Sequence, residues 1–552
     1  MTEEALRKYR YWLDNVTDEK VLTQLKGMSE SEIEDCFYKD LEFGTGGMRG
    51  ITFAGSNCLN VYTVAHATFG LADYLEKHGM KSVAITYDSR LQSREFSEIA
   101  AAALAQRGIR VYLTEKCMPT PFLSYAIRRL RCDAGVNVTA SHNPKQYNGY
   151  KVYDGTGCQV LNQVAEEITE AITAKGVFDS PLPSFAKAVE SRLVQNTPSS
   201  LVSDYENAII AERLTSGPLD VDVAYTPLNG AGYEITPSVL KKAQVKNLYV
   251  VPEQSYPNGN FETCPYPNPE KTEALQKVIA LAQEKNADLV IANDPDSDRL
   301  GVAVKNKNGS FTVLTGNEVG ILLTDFILSS LAEQNKLPPR AIIVKSIVTS
   351  PMVDAVAAKY GATVTDVLTG FKYIGNEMNN FEKSGKLDSF AFGFEESCGY
   401  LKGSYARDKD GVVAAMLVCE MAAFNKKQGK TLTDKLEELY AQVGCYEQKS
   451  VSYRFDGAEG AERKNQLLRA LRTNPITQIA GRAVTETEDL LASKKYPPAD
   501  VLIIKLADGS KVIVRPSGTE PLIKCYLFVK GTAKENAAKL QKIVEQLDGI
   551  FK

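Results

Sequence analysis

Histidine is rare in this chain of 552 residues, which contains only His66, His78 and His142. Neither the HExxH motif nor a CxxC pair occurs, so zinc sites built on paired histidines are excluded. The ten cysteines are scattered between Cys36 and Cys525, a distribution typical of reduced, mostly buried thiols. A disulfide framework is therefore not expected, and the cysteine usage favours a cytoplasmic protein.

An excess of positive charge is also missing, because the formal net charge is -4. Without a basic field there is little to attract a nucleic-acid backbone or an anionic membrane, so neither is an expected partner. Long apolar runs are absent too. The stretch from Gly320 to Leu331 is interrupted by Asp325, and the first residues, MTEEALRKYRYWLDN, form no apolar segment. We expect no signal peptide and no membrane span.

The chain does contain enough apolar material for several cores, with 44% hydrophobic residues over a length that favours three to five domains. Between Ser82 and Ser141, segments typical of strands and helices alternate, and the same alternation returns twice before Gly444. Beyond that residue, strand-like segments dominate and are followed by one last helix, from Ala533 to Leu547. The pattern thus changes once, near Gly444.

This order predicts an α/β fold with three consecutive similar α/β units, whose sheets are mixed and mostly parallel, and a C-terminal α+β domain around one central cleft. We place the domains at residues 1–206, 207–315, 316–444 and 445–552. In each unit a polar segment follows a predicted strand, where open α/β sheets place their ligand loops. Four such loops can converge on one cleft.

The acidic segment DPDSDR follows the apolar run LVIAN. In an extended segment, Asp294, Asp296 and Asp298 would face the same side and meet around one cation. Ligands that are all oxygen suit a hard ion, Mg²⁺ or Ca²⁺. An EF-hand is excluded because Arg299 and Lys305 stand where that loop needs glycine and glutamate. The alternative is a solvated acidic turn that binds no metal.

Three carboxylates leave part of an octahedral Mg²⁺ shell open for a phosphate oxygen, so this segment implies a phosphorylated ligand. The segment TASHNP places Ser141 after another predicted strand, among small and helix-breaking residues that expose a hydroxyl. Ser141 is a candidate nucleophile, although an ordinary turn serine has the same surroundings. No GxSxG motif encloses it, and only His66 or His78 is left as the base of a triad, which disfavours acyl transfer.

Three further segments carry polar groups at predicted strand ends. RPSGTEP offers Arg515, two hydroxyls and a glycine amide, the components of a phosphate clamp, but also those of a plain hairpin turn. GFEES and TGFK can hold sugar hydroxyls or merely cap a strand. GTGGMRG contains one arginine, Arg49, and fits neither the P-loop nor the dinucleotide-binding spacing.

Four segments together resemble the loops of the alpha-D-phosphohexomutase family, and they occur in the same order. TASHNP resembles the phosphoserine loop, DPDSDR the metal loop, GFEES the sugar-recognition loop and RPSGTEP the phosphate-binding loop. The family includes phosphoglucomutases, phosphomannomutases and related phosphopentomutases, and the resemblance spans nearly the whole chain. It implies that Ser141 carries the phosphoryl group and completes a Mg²⁺ site with Asp294, Asp296 and Asp298. It also implies that Arg49, His142, Lys151 and Lys409 act on the reactive phosphate or on the proton. The substrate-binding residues implied by the resemblance are Arg299, Thr369, Glu395, Ser397, Arg515, Ser517, Gly518 and Thr519.

The implied reaction interconverts alpha-D-glucose 1-phosphate and glucose 6-phosphate through a phosphoserine enzyme, with glucose 1,6-bisphosphate as intermediate and activator. TASHNP continues with Lys-Gln instead of Gly-Gly, and Pro295 and Ser297 replace glycines of the metal loop, features of the branch that contains phosphoglucomutases and phosphopentomutases. Small sugar phosphates are the expected partners, and we expect a monomer or weak homodimer. Mannose or pentose phosphate as substrate, hydrolysis of a sugar phosphate, and sugar-phosphate binding without catalysis remain alternatives. The general base is open between Lys151, Lys409 and other residues.

Overall fold

The structure is a computed structural model that describes residues 1–517 and 521–552. Within these residues, four β-sheets follow one another along the chain, each with its own helices. No helix in this part of the chain is both long and apolar enough to cross a membrane. The predicted fold class, three α/β units and a C-terminal α+β domain, is confirmed.

The first unit has a mixed six-stranded sheet in the order β1-β5-β4-β2-β3-β6, in which β1 and β5 run antiparallel to their neighbours. Many of the buried strand residues are Val, Ile and Ala, as expected for a sheet covered by helices on its faces. Its elements are α1 (Glu3–Asn15), α2 (Glu19–Lys26), α3 (Glu30–Phe37), β1 (Gly47–Ile51), α4 (Val61–Lys77), β2 (Ser82–Tyr87), α5 (Ser93–Gln106), β3 (Arg110–Leu113), α6 (Thr120–Leu130), β4 (Ala134–Val138), β5 (Tyr147–Asp154), α7 (Asn162–Thr173), α8 (Phe185–Glu190), β6 (Val194–Asn196) and α9 (Ser200–Ile210).

The second unit has a five-stranded sheet in the order β11-β10-β9-β7-β8, whose inner strands β7 and β9 are parallel. Strand β9 is buried along its whole length and leads directly into the acidic segment. The elements of this unit are β7 (Leu219–Thr226), α10 (Gly232–Lys242), β8 (Val245–Val250), a 3₁₀ turn (Pro252–Gln254), α11 (Thr272–Glu284), β9 (Leu289–Asn293), β10 (Leu300–Lys305) and β11 (Phe311–Leu314).

The third unit has a four-stranded sheet in the order β13-β12-β14-β15, with only the edge strand β15 antiparallel. Its first helix begins with a capping box between Thr315 and Glu318. The elements are α12 (Gly316–Glu333), β12 (Ile342–Ser346), α13 (Met352–Ala358), β13 (Thr363–Val367), α14 (Phe371–Lys383), a 3₁₀ turn (Leu387–Ser389), β14 (Phe390–Glu395), β15 (Gly399–Leu401), α15 (Gly411–Lys427) and α16 (Leu432–Val443).

The described part of the fourth unit has an antiparallel sheet in the order β16-β21-β20-β19-β18-β17. Two helices cover one face of this sheet and form its core with it. The elements are β16 (Cys445–Arg454), α17 (Gly457–Thr473), β17 (Gln478–Ile479), β18 (Arg482–Asp489), β19 (Leu502–Leu506), β20 (Lys511–Pro516), β21 (Leu522–Gly531) and α18 (Ala533–Phe551).

One helix, α15, joins the second and third units into a common core. The helix carries apolar residues on all its sides, and most of them are buried, as expected for a helix inside a large core. It packs against β7 and α10 of the second unit as well as β15 of the third. Asp410 caps its first turn and also accepts hydrogen bonds from Tyr205 of α9 and from Tyr405. The first three units are therefore packed as one body.

The fourth unit contacts the third through a smaller apolar cluster. Ile347 and Leu368, at the carboxyl ends of two strands of the third sheet, pack against Ile513, Tyr526 and Phe528. The boundary predicted after residue 206 lies inside α9, whereas those predicted after residues 315 and 444 lie between elements. The domain boundaries themselves stay predictions.

Gly320 provides a test of packing in the third unit. A methyl group at this position of α12 would collide with the ring of Phe394 in β14, so Gly320→Ala should lower stability by about 1–3 kcal/mol through overpacking. Gly549 of α18 is a matched control, because a methyl group there meets no atom within 4 Å. Thermal unfolding should show a lower midpoint for Gly320→Ala only, and an unchanged midpoint would contradict the packing described.

Candidate active site

The acidic segment after β9 forms a tight turn. The amide of Ser297 donates to the carbonyl of Asp294 at 2.8 Å, and Ser297 has a φ of 53°. The prediction of an extended segment was therefore wrong, since this turn bends the chain back on itself. The three carboxylates still meet, with one oxygen each of Asp294, Asp296 and Asp298 within 4.8 Å of one another. All three side chains are fully buried, which excludes the solvated acidic turn.

Cations and hydroxyls surround this carboxylate cluster. The ammonium of Lys409 lies 2.7 Å from Asp298 Oδ2, and that of Lys151 lies 3.2 Å from Asp296 Oδ2. Burial and the other two carboxylates raise the pKa of Asp294 well above its usual range. Burial would also raise the pKa of Asp296, but Lys151 and Lys409 hold it below its usual range. The neighbouring positive charge thus keeps Asp296 ionised.

Two buried oxygens of the cluster, Asp296 Oδ1 and Asp298 Oδ1, accept no hydrogen bond within the part of the chain that the structure describes. A buried carboxylate oxygen without a partner is costly, and a cation between the three carboxylates would satisfy both atoms. The ligand set is all oxygen, which suits Mg²⁺ or another hard divalent ion. The residues present therefore fit a divalent-cation site.

Ser141 lies directly against this cluster. It follows β4 and has a φ of 52°, a left-handed conformation that is rare for residues other than glycine. Its amide donates to Thr139 Oγ1 at 2.8 Å, and its hydroxyl donates to Asp294 Oδ2 at 2.8 Å. His142 Nδ1 lies 3.2 Å from the same hydroxyl. The sequence prediction that Ser141 and the three aspartates form one site thus agrees in geometry, while the roles of these residues remain predictions.

Arg90 holds the serine loop in place, and the sequence analysis missed it. Its guanidinium is buried and donates to the backbone carbonyls of Ser141, Asn143, Pro144 and Tyr147. Its own counterion is Asp88, with Nε and Oδ2 3.2 Å apart. The segment YDSR at the end of β2 was the sequence signal that could have identified Arg90. An Asp and an Arg directly after a buried strand are unusual unless they have a specific role.

Arg299 enters the cleft beside the metal segment. Its guanidinium pairs with Glu270 and donates to the carbonyl of Ser397 at 3.1 Å. Together with burial, Arg299 and Arg49 lower the pKa of His142 to about 2, so this imidazole is neutral at physiological pH. Glu270 was not predicted from the sequence, because nothing near it in the chain indicates its ion pair.

The third unit contributes a wall of carboxylates and hydroxyls. Glu395, at the end of β14, accepts a hydrogen bond from the amide of Gly370 at 2.7 Å. The buried hydroxyl of Thr369 has no hydrogen-bond partner among the described residues, which leaves it available to a ligand. Glu396 accepts from Ser346 at 3.0 Å, and burial together with Glu395 raises its pKa to about 7.

The remaining predicted residues belong to the first and fourth units. Arg49 of β1 is exposed and donates to Asn143 Oδ1 of the serine loop at 3.2 Å. Arg515 and Ser517 lie at the end of β20, and Arg515 opposes the effect of burial on the pKa of Tyr526. Gly518 and Thr519 lie outside the described residues.

A cleft of about 980 Å³ adjoins the serine loop and the metal segment and is lined by residues of all four units. Its walls include His142 from the first unit, Glu270 and Arg299 from the second, Ser397 from the third and Tyr526 from the fourth. A volume of this size accommodates a small phosphorylated ligand with room for it to turn. Fold and site together define a phosphoryl-transfer enzyme built around a serine and a cluster of carboxylates.

Comparisons with known proteins agree with this class. The family model "Phosphoglucomutase/phosphomannomutase, alpha/beta/alpha domain I" matches residues 40–177, and the models for domain II, domain III and the C-terminal domain match residues 203–309, 315–443 and 467–547. The chain belongs to the phosphoglucomutase/phosphomannomutase family. It is similar to a phosphoglucomutase of Staphylococcus haemolyticus, with 35% identity over 94% of this chain and 95% of the relative.

Solved structures share the fold. The structure of parafusin, a phosphoglucomutase from Paramecium in an open form, has a TM-score of 0.70 at 19% identity and covers 93% of this chain and 95% of its own. A phosphoglucomutase/phosphomannomutase family protein of Burkholderia thailandensis also reaches a TM-score of 0.70, at 18% identity, covering 92% of this chain and 97% of its own.

The raised pKa of Glu396 predicts a pH-dependent stability. Folding raises the pKa from its usual value to about 7, so the folded state loses stability as the pH rises through this interval. Glu396→Gln keeps the acceptor for Ser346 and removes this loss. Its thermal midpoint should match that of the wild type near pH 5 and lie above it near pH 8. The corresponding gain in the free energy of unfolding near pH 8 is about 1–3 kcal/mol.

The exposed Glu166 serves as a control, since Glu166→Gln should behave like the wild type at both pH values. Equal midpoints of Glu396→Gln and the wild type near pH 8 would show that this carboxylate is not strained by burial.

Proposed function

We propose that this chain is a phosphoglucomutase that interconverts alpha-D-glucose 1-phosphate and glucose 6-phosphate, with glucose 1,6-bisphosphate as intermediate and activator. The observation that carries the proposal is the 2.8 Å hydrogen bond between Ser141 Oγ and Asp294 Oδ2, which places a hydroxyl against a buried carboxylate cluster. The names of the full-length relatives, which are phosphoglucomutases, support glucose phosphate as the substrate.

Asp294, Asp296 and Asp298 would hold Mg²⁺, which, when bound, supplies positive charge to the oxygens of the phosphoryl group in flight. Lys409, held between Asp298 and Asp408, would add a fixed charge on the same side. Arg299 is kept in place by Glu270 and would approach the phosphoryl oxygens from the cleft. Charges that are already in position do not have to reorganise during the reaction, and such preorganised charge is a major source of rate.

In the first half of the reaction, the phosphoryl group on Ser141 moves to the free 6-hydroxyl of glucose 1-phosphate. The bond between phosphorus and Ser141 Oγ breaks while the bond to the sugar oxygen forms, which gives glucose 1,6-bisphosphate. The proton of the sugar hydroxyl goes to a base, for which we propose Lys151 in its neutral amine form. Lys151 lies 3.2 Å from Asp296 and 3.9 Å from Asp298. Lys409 is less suited to this role, because its ammonium lies closer to its two carboxylates, 2.7 Å from Asp298 and 3.4 Å from Asp408, which stabilise its charge.

In the second half, the bisphosphate turns around and Ser141 Oγ bonds to the phosphorus of its 1-phosphate. The bond from that phosphorus to the sugar oxygen breaks, and the base returns the proton to this oxygen, which gives glucose 6-phosphate. The non-reacting phosphate must therefore be gripped in either orientation of the sugar, and Arg515 and Ser517 at the end of β20 are suited to this. Thr369, Glu395 and Ser397 would hold the sugar hydroxyls. The cluster between the third and fourth units is separate from the core that the first three units share, which would let the fourth unit move during the turn.

Intact-mass spectrometry and a coupled assay test this proposal. After incubation with glucose 1,6-bisphosphate and Mg²⁺, the wild type should gain one phosphoryl mass and convert glucose 1-phosphate to glucose 6-phosphate, whereas Ser141→Ala should do neither. Ser203→Ala, at an exposed serine of α9, is the control and should behave like the wild type.

The outcomes separate the alternatives. The values of kcat/KM for glucose, mannose and pentose phosphates identify the preferred sugar, and release of inorganic phosphate without isomerisation would indicate a hydrolase. A wild type that is neither phosphorylated nor active on any of these substrates would contradict the proposal and favour a sugar-phosphate-binding protein.

A further inference from the structure

Lys372, at the start of α14, is buried at the seam between the first and third units. Only 8% of the residue is exposed. Its ammonium donates to the backbone carbonyl of Thr45 at 2.6 Å and to Asn162 Oδ1 at 3.0 Å. Both acceptors belong to the first unit, so one side chain of the third unit joins two separate segments of the first.

The acceptors of this ammonium are uncharged, and the ring of Tyr373 lies 5.4 Å away. Burial accordingly lowers the pKa of Lys372 to about 8. Lys372 forms no ion pair with these groups, so its contacts with them add little to the stability of the fold. Its geometry, with one carbonyl and one amide oxygen fixed at short distances, suggests a role in positioning.

The carbonyl of Thr45 lies in the glycine-rich segment that leads to Arg49. The next carbonyl, of Gly46, accepts hydrogen bonds from the amide of Val152 at 3.1 Å and from Gln159 Nε2 at 3.2 Å. The segment is therefore held on one side by β5 and its hairpin, and on the other by Lys372. Arg49 follows this segment in β1, where it pairs with Gly149 of β5, and it contacts the serine loop through Asn143, so the position of the segment bears on that contact.

The other end of the connection is the sugar-recognition loop. Lys372 lies two residues after Gly370 in the segment TGFK, and the amide of Gly370 donates to Glu395 of that loop. The packing of α14 itself depends on Phe371, Ile374 and Met378, which are buried in an apolar cluster of the third unit. Removing the ammonium of Lys372 would thus release its hold on Thr45 and Asn162, while the helix stays packed and keeps its other contacts with the first unit, such as that of Asn379 with Thr156.

We propose that Lys372 is a positioning residue that sets Arg49 of the first unit in register with the sugar-recognition loop of the third. The inference rests on the proposed function, since it assigns Arg49 to the reactive phosphate and Thr369 and Glu395 to the sugar. Through Lys372, the loop that binds the sugar and the arginine that faces the phosphoryl group keep a fixed separation. Small displacements of catalytic groups have large effects on rate.

A double-mutant cycle tests the proposal with Lys372→Met, Arg49→Met and the combined variant. We expect Lys372→Met to lower kcat about tenfold in the wild type and less than about twofold in the Arg49→Met background, because Lys372 acts through Arg49. Lys372→Arg should recover part of the loss, since a guanidinium can donate to the same oxygens. Lys383→Met, at the exposed end of the same helix, should leave kcat unchanged. Equal losses in both backgrounds would overturn the proposal.

Hydrogen exchange gives a readout that does not depend on activity. The amides of residues 44–50 should exchange faster in Lys372→Met than in the wild type and in Lys383→Met. If the wild type converts no sugar phosphate, the proposed function fails, and the exchange rates still decide whether Lys372 holds this segment. Unchanged exchange in Lys372→Met would overturn the positioning role even in an active enzyme.

Discussion

Three buried carboxylates within 4.8 Å of one another form the constraint on which the rest of the site depends. Such a cluster is tolerated only when positive charge lies close to it, and Lys151 from the first unit and Lys409 from the third supply part of that charge. Side chains from three units therefore meet around the cluster. Ser141 completes the arrangement, because its hydroxyl lies against the same carboxylates.

The packing of the four units holds the groups of the site in place. The first three units share one core around α15, which fixes the serine, the carboxylates and the sugar-recognition loop relative to one another. The fourth unit, with its phosphate-binding loop, contacts the third through a separate and smaller cluster. The intermediate of the proposed reaction has to turn around. This requirement agrees with a rigid centre, where bonds break and form, and a more loosely attached unit that binds the distant phosphate.

Much of this could be predicted from local sequence. The alternation of strand and helix gave the fold class, and the spacing of Asp294, Asp296 and Asp298 indicated a metal site, although a turn and not an extended segment brings them together. Arg90 and Glu270 escaped prediction, as did the contacts of Lys372, although this lysine belongs to the TGFK segment. The serine-loop carbonyl that Arg90 binds, the arginine that pairs with Glu270 and the carbonyl that Lys372 binds lie between 29 and 327 residues away in the sequence, so only the folded chain reveals these contacts. Residues 518–520 lie outside the description, so the phosphate-binding loop stays a prediction in part.

The central claim is that Ser141 and the three aspartates form one cation-dependent centre. Crystals of the protein soaked with Mn²⁺, a hard divalent ion with anomalous scattering, test it most directly. The account predicts one anomalous peak among the carboxylates of Asp294, Asp296 and Asp298, next to the oxygen of Ser141. Crystals without a peak at this position, in which Lys151 and Lys409 keep their contacts with the carboxylates, would contradict it.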